Sequence, residues 1–286
     1  MYNVKVSTDS ISDLGPQLLA QYNLPVMPLM INLGETDEPD GEGMPDKIFA
    51  FVEKTAKLPK TGARSTEAYM EFFKEHKPDG GELVHFCISS DISASYENAC
   101  LAAKEIGGVY VVDTRSLSSG SGLCVLYACD LAQDGSLSGE QIAQKCRDRA
   151  PKAQASFVVD NLNYLYKGGR CSGVALLFSN ILNIKPMIML KDGKMVVGKK
   201  YIAKFDKAID KYVNDIFNMF STPDLKRCFI TYTTAPDGMV ERVKEAILKR
   251  FPFENVYATV AGGTITSHCG KNTLGVLYFN DGDETK

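Results

Sequence analysis

The chain has 286 residues, 44% of them hydrophobic and 23% charged, which excludes a disordered chain and fits one large or two moderate globular domains. Its 32 basic and 35 acidic residues leave a formal net charge of −3, without the basic excess that nucleic-acid binding calls for. Trp is absent, while 14 Phe, 13 Tyr and 10 Met supply aromatic and flexible apolar side chains that suit plain packing or a lipid-like pocket equally well.

The first half reads as alternating strands and helices. Val4 to Ser7 is a β-branched strand, followed by a Ser/Asp turn and a helix near Leu14 to Tyr22. Asn23 suits the left-handed residue after that helix, and Val26 to Ile31 reads as the next strand. A Gly-, Asp- and Glu-rich loop, Gly34 to Gly43, precedes helices near Asp46 to Lys57 and Thr66 to His76. Strand Leu83 to Ile88, helix Ser95 to Ile106 and strand Val109 to Val112 continue the alternation, and apolar helices follow near Gly122 to Ala132 and Gly139 to Arg149. Ser138 and Gln141 have capping-box spacing at the start of the last of these. Such alternation predicts an α/β fold with a parallel sheet flanked by helices.

The second half differs. Strand Ser156 to Val159 leads through Asn161 to Tyr166 into Lys167-Gly168-Gly169-Arg170. Asp192-Gly193 between Met187 to Leu190 and Met195 to Val197 is a hairpin signal. Phe205, Ile209, Tyr212, Ile216 and Phe220 share one face of an amphipathic helix. Strand Cys228 to Tyr232, helix Met239 to Arg250 and strands Asn255 to Val260 and Leu274 to Phe279 complete the pattern, which predicts a mixed or antiparallel sheet with helices. The change of character divides the chain into an N-terminal domain, 1–155, and a C-terminal domain, 156–286.

No span of about 18 apolar residues occurs, so no transmembrane segment is expected. The N-terminus runs directly into a strand-like pattern without the features of a secretory leader. Eight scattered Cys without a C-x-x-C pair, and only three His, argue against a disulfide framework or a structural zinc site. The expected compartment is the reducing cytoplasm, and no metal is expected.

Four polar segments exceed what packing requires. Ser7-Thr8-Asp9-Ser10 closes the first strand, where open α/β sheets bind ligands, although a helix-capping turn explains it as well. Thr61 to Ser65 is a loop before a helix, and Ser89 to Tyr96 joins a strand to a helix with hydroxyls and N–H groups suited to an anion. Gly262 to Gly270 is an almost uncharged loop around His268. The glycines before Arg170 permit a tight turn that projects it. Ser93, His268 and Asp9 would compose a hydrolase triad, but no G-x-S-x-G elbow accompanies them. Neither a P-loop nor G-x-G-x-x-G is present.

Taken in order, these segments resemble the DegV family of bacterial fatty-acid-binding proteins. Thr8-Asp9-Ser10 with Asp13-Leu14 resembles its opening motif, and Val26-Met27-Pro28-Leu29 its second strand. Leu58-Pro59-Lys60-Thr61, Ser89 to Tyr96, Leu165 to Arg170, Leu182 to Pro186 and Ser267-His268-Cys269-Gly270 match in the same sequence order. The resemblance implies a carrier subunit of a fatty acid kinase in phospholipid metabolism, not itself an enzyme. A long-chain fatty acid would lie at the domain interface, with no other cofactor, and its carboxyl group would meet Thr61, Ser93, His268 and Arg170. Asp9, Ser10, Ser90 and Ser95 would support that loop cluster, and Leu176, Phe178, Ile181 and Met189 would receive the tail. The expected partners are the fatty acid and a kinase catalytic subunit. Ile202 occupies a position where the resemblance expects a kinase-docking Arg, which keeps a lipid sensor without a kinase as an alternative; a Ser-dependent acyl hydrolase built on Ser93, His268 and Asp9 is the other.

Overall fold

A computed structural model describes residues 1–171, 173–174 and 184–285. The strands are β1 (Val4–Asp9), β2 (Val26–Met27), β3 (Met30–Asn32), β4 (Asp37–Pro39), β5 (Lys60–Gly62), β6 (Glu82–Cys87), β7 (Val109–Asp113), β8 (Ala153–Val159), β9 (Ile184–Lys191), β10 (Lys194–Ile202), β11 (Pro223–Tyr232), β12 (Asn255–Val260) and β13 (Thr273–Asn280). The helices are α1 (Gly15–Gln21), α2 (Met44–Thr55), α3 (Thr66–His76), α4 (Ser95–Ile106), α5 (Ser119–Ala132), α6 (Gly139–Arg149), α7 (Asn163–Gly168), α8 (Phe205–Met219), α9 (Met239–Arg250) and α10 (Gly263–Cys269).

The α/β fold class is as expected. Strands β2-β1-β6-β7 form a parallel sheet, and β10-β9-β8-β13-β11-β12 form a mixed sheet in which only β11 and β12 run parallel. The Asp192-Gly193 hairpin forms as predicted, both residues with positive φ. Asn23 adopts φ 47°, and Ser138 and Gln141 make the reciprocal capping box.

Three expectations require correction. The single strand Val26 to Ile31 is two strands in different sheets. Pro28 has no N–H to continue a ladder, so β2 ends against β1 and β3 begins a small antiparallel sheet, β4-β3-β5. Thr61 therefore sits on a strand opposite Ile31 and not in a loop. Gly262 to Gly270 also forms a structured element: helix α10 occupies most of it.

Helix α5 connects the two large sheets. Residues Ser119 to Leu126 are all buried, and the helix packs on β1 and β6 on one side and on β8, β11 and β13 on the other. Its apolar residues continue into one core with Val84, Phe86, Phe229, Leu277 and Phe279, as expected for a helix hydrophobic around its circumference. A second core lies under α8, where Phe205, Ile209, Tyr212 and Ile216 are buried as the periodicity predicts. Among the described residues, no helix is long and apolar enough to cross a membrane.

Tyr212 is fully buried and bridges β8 to β13: its hydroxyl donates to the Ser156 carbonyl at 2.8 Å and accepts the Val276 N–H at 2.9 Å. Tyr212→Phe strands both backbone groups and should lower unfolding stability by about 1–3 kcal/mol in a urea titration, with an unchanged m-value.

Candidate functional site

One cavity gathers all four residues expected at the polar head of the ligand. Thr61, Ser93, Arg170 and His268 line it together with an apolar wall that includes Leu29, Ile88, Ile92, Leu117, Phe157, Leu165, Met195 and Ile265. The elements that deliver them are far apart in sequence. Thr61 comes from β5, Ser93 from the turn between β6 and α4, Arg170 from just beyond α7, and His268 from α10.

His268 is the most constrained member. Its Nε2 lies 2.8 Å from Thr61 Oγ1, while buried Nδ1 has no hydrogen-bond partner among the described residues. A Cβ at position 168 would strike this ring, so glycine there permits the close approach of α7. Gly169 then ends α7 with φ 68°, the left-handed conformation that turns the chain toward Arg170. Burial pushes the His268 imidazole down to about 4, with a smaller contribution from the Arg170 charge, so the ring is neutral at pH 7. Neutral imidazole and the Thr61 hydroxyl each retain hydrogen-bonding capacity beyond their mutual bond. Arg170 is exposed at the rim, where its Nη1 donates to the Gly168 carbonyl at 2.7 Å.

The four residues expected to support this cluster lie outside the cavity wall. Ser95 is one bond behind it, with Oγ 3.0 Å from Ser93 Oγ and N–H donating to Ser93 Oγ at 3.2 Å. Ser10 Oγ accepts the Leu29 N–H and donates to Asp40 Oδ2. Ser90 is exposed and donates to Asp113. Asp9 is fully buried, where its Oδ1 accepts from the Tyr69 hydroxyl at 2.7 Å and lies 3.2 Å from His85 Nε2. Asp9 and His268 thus have different partners, and a Ser93–His268–Asp9 relay is not assembled. Of the proposed tail residues, Leu176, Phe178 and Ile181 lie outside the described residues. Met189 packs in the core with Tyr201 and Tyr212, away from the cavity wall, and Met195 on the adjoining strand lines it instead.

Asp9, His85 and Cys87 bring potential metal-ligating atoms within 4.8 Å of one another. Asp9 Oδ1 is already engaged by Tyr69 and His85, and His85 Nδ1 lies 2.9 Å from Ser7 Oγ, so the cluster forms an internal hydrogen-bond network. Sequence reading missed this network because His85 and Cys87 lie within an apolar strand pattern and resemble ordinary core residues. It also missed two carboxylates behind α10. Asp13 Oδ1 accepts the Gly262 N–H at 2.8 Å and its Oδ2 accepts from Ser118 Oγ at 2.6 Å. Asp40 accepts the N–H groups of Gly263 and Thr264, each at 2.8 Å, and the Thr264 hydroxyl at 2.6 Å. The opening motif contains Asp13, but no local pattern singles out Asp40.

Comparisons with known proteins match nearly the whole chain. The model of the DegV family, described as an uncharacterised protein family, matches residues 3–281. A DegV domain-containing protein of Caldanaerobacter subterraneus subsp. tengcongensis is 26% identical over 280 residues, covering 97% of this chain and 99% of its own. Another, from Clostridium perfringens, is 32% identical over 203 residues, covering 70% and 72%. A DegV family protein from Thermus thermophilus, solved for its fatty acid binding, is 28% identical with a TM-score of 0.87, covering 97% of this chain and 99% of its own. A DegV lipid-binding protein from Thermotoga maritima is 25% identical with a TM-score of 0.83, over the whole of both chains.

Burial raises Asp13 from 3.8 to about 7, and the Asp40 charge adds to the rise, while the bonds from Ser118 and Gly262 oppose it. The folded state therefore retains a proton that the unfolded chain releases, so Asp13's contribution to stability, complete below pH 4, is lost as pH rises through 7. Asp13→Asn should abolish this loss. In denaturation curves, the stability difference between the variant and the parent should shift in the variant's favour from pH 4 to 7 and level off above.

Proposed function

The chain belongs to the DegV family, and on that premise we propose that it binds one long-chain fatty acid, its carboxyl held by Thr61, Ser93, His268 and Arg170. The observation that carries this reading is that Thr61, Ser93, Arg170 and His268 line one cavity whose remaining lining is mostly apolar. Burying about fourteen methylenes at ~0.8 kcal/mol each supplies roughly 11 kcal/mol before ordering costs. The head group requires hydrogen-bond partners, and the hydroxyls, imidazole and guanidinium of the four residues match a carboxylate.

In this reading the chain is a carrier with no catalytic residue of its own. It presents the carboxyl group to a separate kinase that forms the acyl phosphate, and it acts in the cytoplasm. We divide it into 1–155 and 156–286; the parallel sheet lies within residues 4–113 and the mixed sheet within 153–280, so the change of sheet falls at the start of β8, three residues before that boundary. One observation favours a second reading, a lipid sensor without a kinase: Ile202 is 69% exposed at the end of β10, where the resemblance leads one to expect an arginine. Capture of the host's kinase subunit by this chain distinguishes the two.

Native mass spectrometry of the recombinant protein should show an additional mass of one fatty acid, removed by denaturation. After lipid removal, Thr61→Val, Ser93→Ala and Arg170→Gln should each weaken palmitate binding roughly tenfold. A protein that carries no lipid and binds neither palmitate nor oleate would overturn the reading.

A further inference from the structure

Helix α10 is buried, short and poor in helix-forming residues, yet it carries the cavity's only histidine. Its entry exposes successive N–H groups at Gly262, Gly263 and Thr264, which the preceding turn of chain does not satisfy. Asp13 accepts the first and Asp40 the next two. Both carboxylates are buried, and among the described residues neither forms an ion pair with a cation. Both carboxyl groups are satisfied instead by N–H and hydroxyl donors, the former at the positive end of the helix.

The same small sheet also reaches the far end of α10. Asp40 directly follows β4, while Thr61 lies on β5, and both strands pair with β3. The sheet therefore holds the helix at two points, through Asp40 at its first turn and through Thr61 at His268 Nε2. Ser10 fastens Asp40 to the backbone of Leu29, a residue of the cavity wall. Asp13 adds a third point from the turn after β1, fixed in a left-handed conformation with φ 47°.

We propose that Asp40, assisted by Asp13, is a positioning residue for the head-group site: it fixes α10 against the β4-β3-β5 sheet and so sets the His268 ring in register with Thr61. Asp40 itself does not line the cavity. The inference rests on the fatty-acid reading for its ligand, but its structural half concerns His268 itself.

The test uses delipidated full-length protein, palmitate titration and histidine NMR. Asp40→Asn keeps the volume but replaces one acceptor with a donor, and should weaken palmitate binding roughly tenfold. His268→Gln should weaken it similarly, and the double variant should be little worse than either alone, because Asp40 acts through His268. In the parent, the His268 ring titrates at about 4; freed from its burial in Asp40→Asn, its midpoint should move up toward the ordinary value of 6.5. Thr264→Val, which removes one of Asp40's donors and retains the helix N–H bonds, should shift both readouts in the same direction by less, and serves if Asp40→Asn does not fold. Unchanged affinity and an unchanged His268 titration in whichever variant folds would overturn the proposal, as would fully multiplicative losses in the double variant. If the parent binds no fatty acid, the carrier reading fails, and the His268 titration alone then decides whether Asp40 positions the ring.

Discussion

Three backbone N–H groups at the start of one short helix impose the constraint on which the site depends. Buried donors without acceptors would cost about 1–3 kcal/mol each, and the N–H groups of Gly263 and Thr264 are buried, with that of Gly262 partly so. Asp13 and Asp40 provide the acceptors from more than 220 residues away in sequence. Because the helix contains Thr, Ile, Thr, Ser and His between glycines, its own propensity for helix is weak. Long-range capping and packing against α2, α7 and the small sheet hold it helical. In that arrangement His268 Nε2 lies 2.8 Å from Thr61 Oγ1.

The cavity itself depends on how the two large sheets share one helix. Helix α5 is buried along most of its length and packs against both sheets. The parallel sheet contributes residues beyond the carboxyl end of β6, Ile88, Ile92 and Ser93, in keeping with the preference of open α/β sheets for ligands at that edge. The mixed sheet contributes Phe157 and Met195, and α7 and α10 complete the lining. The result brings the hydroxyls of Thr61 and Ser93, the His268 imidazole and the Arg170 guanidinium to one mostly apolar cavity.

Much of the secondary structure was legible because hydrophobic periodicity is a local property. The helices Thr66–His76, Ser95–Ile106, Gly139–Arg149 and Met239–Arg250 occur where their apolar spacing and caps place them. The elements that did not announce themselves are those that partners create. Lys60–Gly62 has no strand-like alternation and becomes β5 by pairing with β3, while Pro28 divides what looks like one apolar strand between two sheets. His85 and Cys87 lie in a strand that reads as plain core, and only its register against β1 brings His85 to Ser7 and Asp9.

The sequence by itself determined the class of the fold and the order of its principal elements, and its family resemblance pointed to four residues that line one cavity. These follow from composition, from periodicities of a few residues and from ordered motifs, all carried by neighbouring positions. Tertiary structure decided that Thr61 lies on a strand, that His268 lies on a helix, that Asp9 belongs to a buried network with His85 and that Asp40 holds α10. Each of these depends on a hydrogen bond or strand pairing between distant segments, and such partners are chosen by the geometry of the folded chain and not by the spacing of residues along it.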